Sequence, residues 1–219
     1  MTTRTPLQGK VDFTLMYAAH DAFLRDLGRL AAAARTGSLA EPAVRTGWET
    51  FERQLRIHHT AEDAAVWPLL RQRVSHPGDL AVLDAMEAEH ARIDPLLDRI
   101  AASLPALPAV SAVSGAGLAG AIEELSLALA AHMEHEENEA LPLVETFLGT
   151  EGWAGFARQM RKTQGLSGAA VFFPWVLDGT PATTRTQVLG LLPAPARLLY
   201  RAVWAPRYAR VPRWDGVSR

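Results

Sequence analysis

Six residues of two kinds recur along this chain at intervals that suit metal coordination. His58 and Glu62 stand four apart, and His132 and Glu136 repeat that spacing 74 residues later. On an α-helix, a His and a Glu at i and i+4 leave the same face one turn apart and can converge on one ion. The neighbouring residues align too: Asp63 with Glu137, Trp67 with Leu141, Pro68 with Pro142. Each copy is preceded by a single histidine on an otherwise apolar helical face. His20 lies 38 residues before His58, and His90 lies 42 before His132. The order is therefore His, His-x-x-x-Glu, His, His-x-x-x-Glu, one group per helix. Four packed helices can aim all six at one level of their core.

Imidazole and carboxylate are ligands for iron, manganese or zinc. A duplicated set of six suits two ions better than one, with Glu62 and Glu136 each lending an oxygen to either ion and bridging the pair. So few protein ligands for two ions leave positions for exogenous oxygen species. Redox-active iron at such a site binds dioxygen, peroxide or nitric oxide, tuned by nearby carboxylates and a dry surround. Taken singly, His20 or His90 reads as a core histidine, and His58 with Glu62 as a surface pair; the duplication at near-constant spacing outweighs both. His59 is one residue off the ligand face, His76 lies in a turn and His135 takes the place of Ala61. These three are expected not to be ligands. Glu134, Glu137, Glu139 and Asp63 read as an acidic face, with Asp63 and Glu137 as candidate partners of the ligand imidazoles.

Four long helices must position these groups. Residues 11–34 carry Phe13, Tyr17, His20, Leu24, Leu27 and Leu30 at helical spacing and stop at Thr36-Gly37-Ser38. A second helix over 42–74 opens on Pro42, which suits a first turn, and stops at Ser75-His76-Pro77-Gly78. A third is expected over 79–102, bent at Pro95. Residues 103–117, rich in Pro, Ala, Ser and Gly, read as a flexible connector. A fourth helix follows over 118–147, and a shorter amphipathic one over 152–162.

Composition narrows the function. With 219 residues, 48% hydrophobic and 21% charged, the chain can build one packed domain with an appendage. The absence of cysteine removes disulfides, thiolate sites and iron–sulfur clusters. The first residues lack the apolar run of a signal peptide, and a cytoplasmic location is expected. Charge is uneven: seven arginines and two aspartates give +5 over residues 164–219, leaving −7 for 1–163 out of a total of −2. The division is thus an acidic domain, 1–163, and a basic, apolar extension, 164–219. That extension carries too many aromatics to stay in water. Its charge favours docking on the bundle or across a homodimer, whereas its prolines interrupt any long membrane-binding face. Nothing indicates nucleic acid.

In motif, order and spacing the chain resembles the hemerythrin-like (HHE cation-binding) family over residues 10–148. The resemblance implies an all-α, up-down four-helix bundle, here with a short fifth helix and a Pro-rich, partly helical C-terminal extension. It implies a centre of two iron ions, oxide- or hydroxide-bridged, with manganese or zinc as lesser alternatives, held by His20, His58, Glu62, His90, His132 and Glu136. The oxygen-carrying members place two histidines four apart on the third helix; here the earlier place is Met86. Glu87, and Tyr17 as its counterpart on the first helix, are candidates for an extra ligand or a partner of the ligands. The pattern is closer to bacterial members linked to peroxide, nitric oxide or iron handling than to oxygen transport. Two functions follow: a di-iron protein reacting with dioxygen, peroxide or nitric oxide, as an oxidase or with catalase-like activity, or a non-catalytic binder or sensor of oxygen, nitric oxide or iron.

Overall fold

The computed structural model describes residues 9–104 and 112–215, with side chains from 117 onward in the second span. Those residues are mostly helical, without a strand. Helix α1, Thr14–Thr36, ends where Gly37 turns left-handed at φ 73°, letting its own N–H and that of Ser38 reach carbonyls of the last turn. Such a turn needs a residue without Cβ. Helix α2, Pro42–Ala65, begins on a proline whose missing donor would be unpaired there anyway. It breaks at Val66 because Pro68 cannot donate back to the ladder, and a short α3, Trp67–Arg71, follows. Helix α4, Pro77–Ser103, is capped by the His76 ring, whose Nδ1 accepts from the Gly78 N–H at 3.1 Å. It continues through Pro95, which lies on its exposed side, where water can take the carbonyl left without a donor.

Helix α5, Ala112–His135, carries the second copy of the motif and widens into a π turn at Glu136–Ala140. Leu141 N–H there reaches back to the Glu136 carbonyl, one residue further than in an α-helix. The widening falls just before Pro142, at the place where the first copy breaks before Pro68. A short α6, Leu141–Leu143, and a second π turn, Val144–Leu148, complete this helix. Of the expected connector, residues 105–111 lie outside the described residues, whereas 112–117 belong to α5 rather than to a loop.

Helix α1 packs on α2 and α5, and α4 packs on α5 and touches α2. Two apolar clusters fill the interior. One includes Phe23, Phe51, Leu55, Ile93, Leu97, Leu129 and Met133. The other includes Met16, Ala61, Leu83, Met86, Ala140 and Val144. On each of the four helices the ligand-type residues fall between positions of the two clusters, so a polar layer crosses the core.

Beyond the fourth long helix the chain stays helical for longer than its prolines suggest. Helix α7, Gly149–Val176, joins two segments at Gly165 (φ 59°, ψ −173°) and runs against α2 and α1. The expected helix over 152–162 is its first segment. The stretch around Val171–Leu177 is not broken at Pro174, which falls in the last turn. Helices α8, Ala182–Gly190, α9, Ala194–Leu199, and α10, Ala205–Ala209, follow, with a π turn at Tyr200–Trp204.

Trp175, Val176, Val188, Tyr200 and Trp204 join the first core cluster. The polar part of the docking runs opposite to the expected charge pattern, because the bundle supplies the cations. Arg25 donates to the carbonyls of Trp175 and Asp178 at 3.0 and 2.7 Å, and Arg29 pairs with Asp178 at 2.8 Å. Buried Asp26 accepts from Trp175 Nε1 at 2.8 Å and from Arg25 and Arg29. From the tail, Arg213 donates to a bundle side chain, Thr50 Oγ1, at 3.3 Å. No helix among the described residues is long and apolar enough to cross a membrane.

The C-terminal end is seated by a close approach. Trp214 is 6% exposed, its N–H bonds the Ala43 carbonyl at 2.9 Å, and its ring lies 2.3 Å from where a Cβ on Gly47 would stand. Alanine would favour the helix by about 1 kcal/mol, but overpacking of this kind typically costs about 1–3 kcal/mol. The ring must move whichever term is larger. Gly47→Ala should therefore unseat Trp214 and speed tryptic cleavage after Arg213; unchanged cleavage would show that the ring is not held there.

Candidate metal centre

His20 of α1, His58, His59 and Glu62 of α2, His90 of α4, His132 of α5 and Glu136 of the π turn that continues it are all buried at one level. Three of the imidazoles are aimed by a carboxylate on their outer nitrogen. His20 Nδ1 meets Glu137 at 2.7 Å, His90 Nδ1 meets Asp63 at 2.8 Å, and His132 Nδ1 meets Glu89 at 2.9 Å. Asp63 and Glu137 are equivalent in the duplicated motif. Each serves the lone histidine that precedes the other copy, Asp63 that of α4 and Glu137 that of α1. An ionised carboxylate only accepts, so each Nδ1 must carry the hydrogen and each neutral ring turns a bare Nε2 inward.

Those inward nitrogens crowd one another. His90 Nε2 and His132 Nε2 are 3.1 Å apart, and His20 Nε2 and His58 Nε2 are 3.3 Å apart. Two bare lone pairs at 3.1 Å repel unless a cation, a proton or a metal ion, lies against both. Glu62 spans the two pairs, with Oε1 3.0 Å from His58 Nε2 and Oε2 3.6 Å from His90 Nε2. Glu136 Oε2 stands 3.1 Å from His20 Nε2, and an oxygen of Glu136 also groups with Glu62 and His132. Yet none of the four carboxylate oxygens has a hydrogen-bond partner. The nitrogens are close but approach off the hydrogen-bond direction. Donor atoms that converge on a shared point without bonding to each other fit a cation.

The electrostatics follow from burial and crowding. Burial opposes charge on His20, yet the carboxylates of Glu136 and Glu137 hold its pKa up to about 10. Burial, and then the charge of His20, push His58 down to about 3. Burial and the neighbouring His90 hold His59 far below its usual range. Glu62 is driven up by burial and by Glu136, while Glu136 is held low by His20 against its own burial.

All six expected ligands come together, and a seventh residue joins them. His59, expected off the ligand face, is 4% exposed and lies stacked on His90 with ring centres 3.9 Å apart. Successive helical positions are about 100° apart, so His58 and His59 flank the inward direction and address opposite sides of the layer. Glu87 does not reach the centre; it pairs with Arg71 at 3.1 Å on the surface. Tyr17 is half-buried and sets its ring edge-on to Phe13. Met86 is fully buried in the second apolar cluster. His135 pairs with Glu89 at 2.8 Å and is partly exposed. Glu89 itself had no signal in the repeat, because the residue 70 positions earlier is Ala19.

The layer is walled by rings. Phe23 faces His58 at 5.4 Å on one side and Trp175 at 4.9 Å on the other, and Phe156 of α7 meets His58 edge-on at 6.0 Å.

A buried layer of imidazoles and carboxylates, converging across helices and backed by further carboxylates, defines a cation-binding helical bundle. The sequence matches the hemerythrin HHE cation binding domain over residues 11–144, and the chain belongs to that family. No curated protein and no solved structure matches it.

A metal ion can take the inner nitrogen of His20 only after the proton leaves. Because that proton is held up to about 10, metal uptake near neutral pH should release protons, and apparent affinity should rise with pH until His20 has lost its proton. Calorimetric titration in two buffers of different ionisation enthalpy measures the release; equal apparent heats in both would contradict it.

Proposed function

We propose that this chain is a non-haem di-iron protein that binds and reacts with dioxygen, peroxide or nitric oxide. The four ligand-bearing helices would form an up-down bundle, which the short connections at 37–41 and 72–76 favour by returning each helix beside its predecessor. The observation that carries the reading is the pairing of inward nitrogens around two carboxylates whose oxygens have no hydrogen-bond partner. His20 and His58 would hold one ion, His90 and His132 the other, and Glu62 and Glu136 would bridge them.

Two irons there would supply one-electron chemistry and a place for small oxygen or nitrogen ligands. The chain's own residues do the rest. Glu137, Asp63 and Glu89 fix the tautomer and angle of three imidazoles and make them stronger donors. Phe23, Phe156 and the apolar cluster beneath exclude water, which strengthens charge interactions in the layer. Imidazole and carboxylate suit iron, and the four protein donors at each position would leave the further places that iron, unlike a closed four-coordinate zinc site, uses for exogenous ligands.

Elemental analysis combined with a visible spectrum tests the reading, with peroxide and nitric oxide added to the same sample. Two irons per chain with oxygen-to-iron charge-transfer absorption that changes on addition are expected. Zinc without such absorption would refute it. A stable adduct that forms and decays without turnover would identify a binder rather than an enzyme. Glu62→Ala or Glu136→Ala should lose roughly half or more of the iron, since partners of a metal centre typically matter by about 10–100-fold in affinity even when they are not ligands themselves. His135→Ala should keep it all, and full iron in both glutamate variants would rule out the bridging role.

A further inference from the structure

We propose that His59 is the third imidazole of the cation position formed by His90 and His132, so that the two positions differ in nitrogen count. This rests on the two-ion reading above and extends it to a residue outside the repeated motif.

His59 is 4% exposed, and both of its ring nitrogens are buried without a hydrogen-bond partner. A neutral imidazole has one donor and one acceptor, and burying both unpaired is costly. Every other histidine on the described residues outside the layer has found a partner: His76 caps a helix and His135 meets Glu89. The donor atoms of His59, His90 and His132 all lie within 4.8 Å of one another, as three ligands of one ion do. His59 stacks on His90 at 3.9 Å with planes 10° apart and stands edge-on to His132 at 5.3 Å. Where a carboxylate steers His90 and His132, the stack steers His59.

The duplication shows why the other position lacks a counterpart. The residue 74 places after His59 is Met133, 2% exposed and packed in the first apolar cluster. A thioether is a poor donor to the iron and manganese class that imidazole and carboxylate suit. Among the donors of the layer, the repeat is therefore symmetric in its carboxylates and asymmetric at the place of His59. His20 and His58 provide two nitrogens, and His59, His90 and His132 provide three.

A buried histidine that stacks on another is also what ordinary packing would give, so the test must separate a ring from a nitrogen. His59→Phe keeps an aromatic ring against His90 and removes both nitrogens; His59→Gln keeps a polar group of similar reach that is a weak ligand. The full chain, produced with isotopically labelled iron, is assayed for iron content and by Mössbauer spectroscopy. The parent protein should hold two irons in two unequal quadrupole doublets. Both variants should lose one doublet selectively and fall to about half the iron, while Met133→Leu keeps both doublets and full content. Retention of two irons with both doublets unchanged in His59→Phe would overturn the assignment, as would equal loss of both doublets or equivalent doublets in the parent. If His59→Phe fails to fold, His59→Gln decides by the same criteria. A parent protein without iron would instead sink the two-ion reading itself.

Discussion

The rest of the molecule answers to one constraint: seven ionisable or polar side chains are buried at a single level of an apolar core. Burying such groups unpaired is among the most expensive things a fold can do. Three imidazoles solve half of the problem by bonding outward to carboxylates. Their inner nitrogens, together with Glu62 and Glu136, are left facing one another. The apolar clusters on either side hold the layer in place. Positive charge inside the layer would satisfy these groups, as the cation-binding family to which the chain belongs implies.

Both copies of the motif solve the exit from the layer differently. In the first, the helix breaks at Val66, and α3 restarts over Pro68. In the second, the helix stays continuous by widening at Glu136–Ala140, before Pro142. The same chemical cause, a proline without a donor, is absorbed by a break in one case and by a wider turn in the other. π turns of this sort are frequent at functional sites, and this one begins on Glu136 of the buried layer.

Much of the centre was legible in the sequence because duplication supplies a control that single residues lack. His20, His58, Glu62, His90, His132 and Glu136 were found by an offset, and the partner roles of Asp63 and Glu137 by their equivalence. What the offset could not find were residues that break the repeat. His59 pairs with Met133 and Glu89 with Ala19, so neither shows internal symmetry. His59 also lies one position off a face drawn as a line through His58 and Glu62. A layer that holds two foci has width, and neighbouring helical positions can serve one focus each. Glu87 was misplaced for the converse reason: three residues from His90 it shares a helical face in principle, but Arg71 and the solvent hold it outside. The extension's aromatics implied burial, but its net charge gave the wrong polarity for the contact. Local partners, Asp26 and the carbonyl oxygens of Trp175 and Asp178, decided which side brought the arginines.

Phe23 belongs at once to the wall of the layer and to the seat of Trp175. One ring therefore separates the end of α7 from His58, and α1 carries both His20 of the layer and, less than two turns on, the Asp26 that holds Trp175. Two equilibria that share a side chain are linked, and linkage is reciprocal. Whatever free energy the seating of α7 gains when the layer is filled, the filling gains in equal measure when α7 is seated. A substitution at Asp26 or Trp175 that let α7 lift would reach the wall of the layer through Phe23 without touching the layer's own side chains.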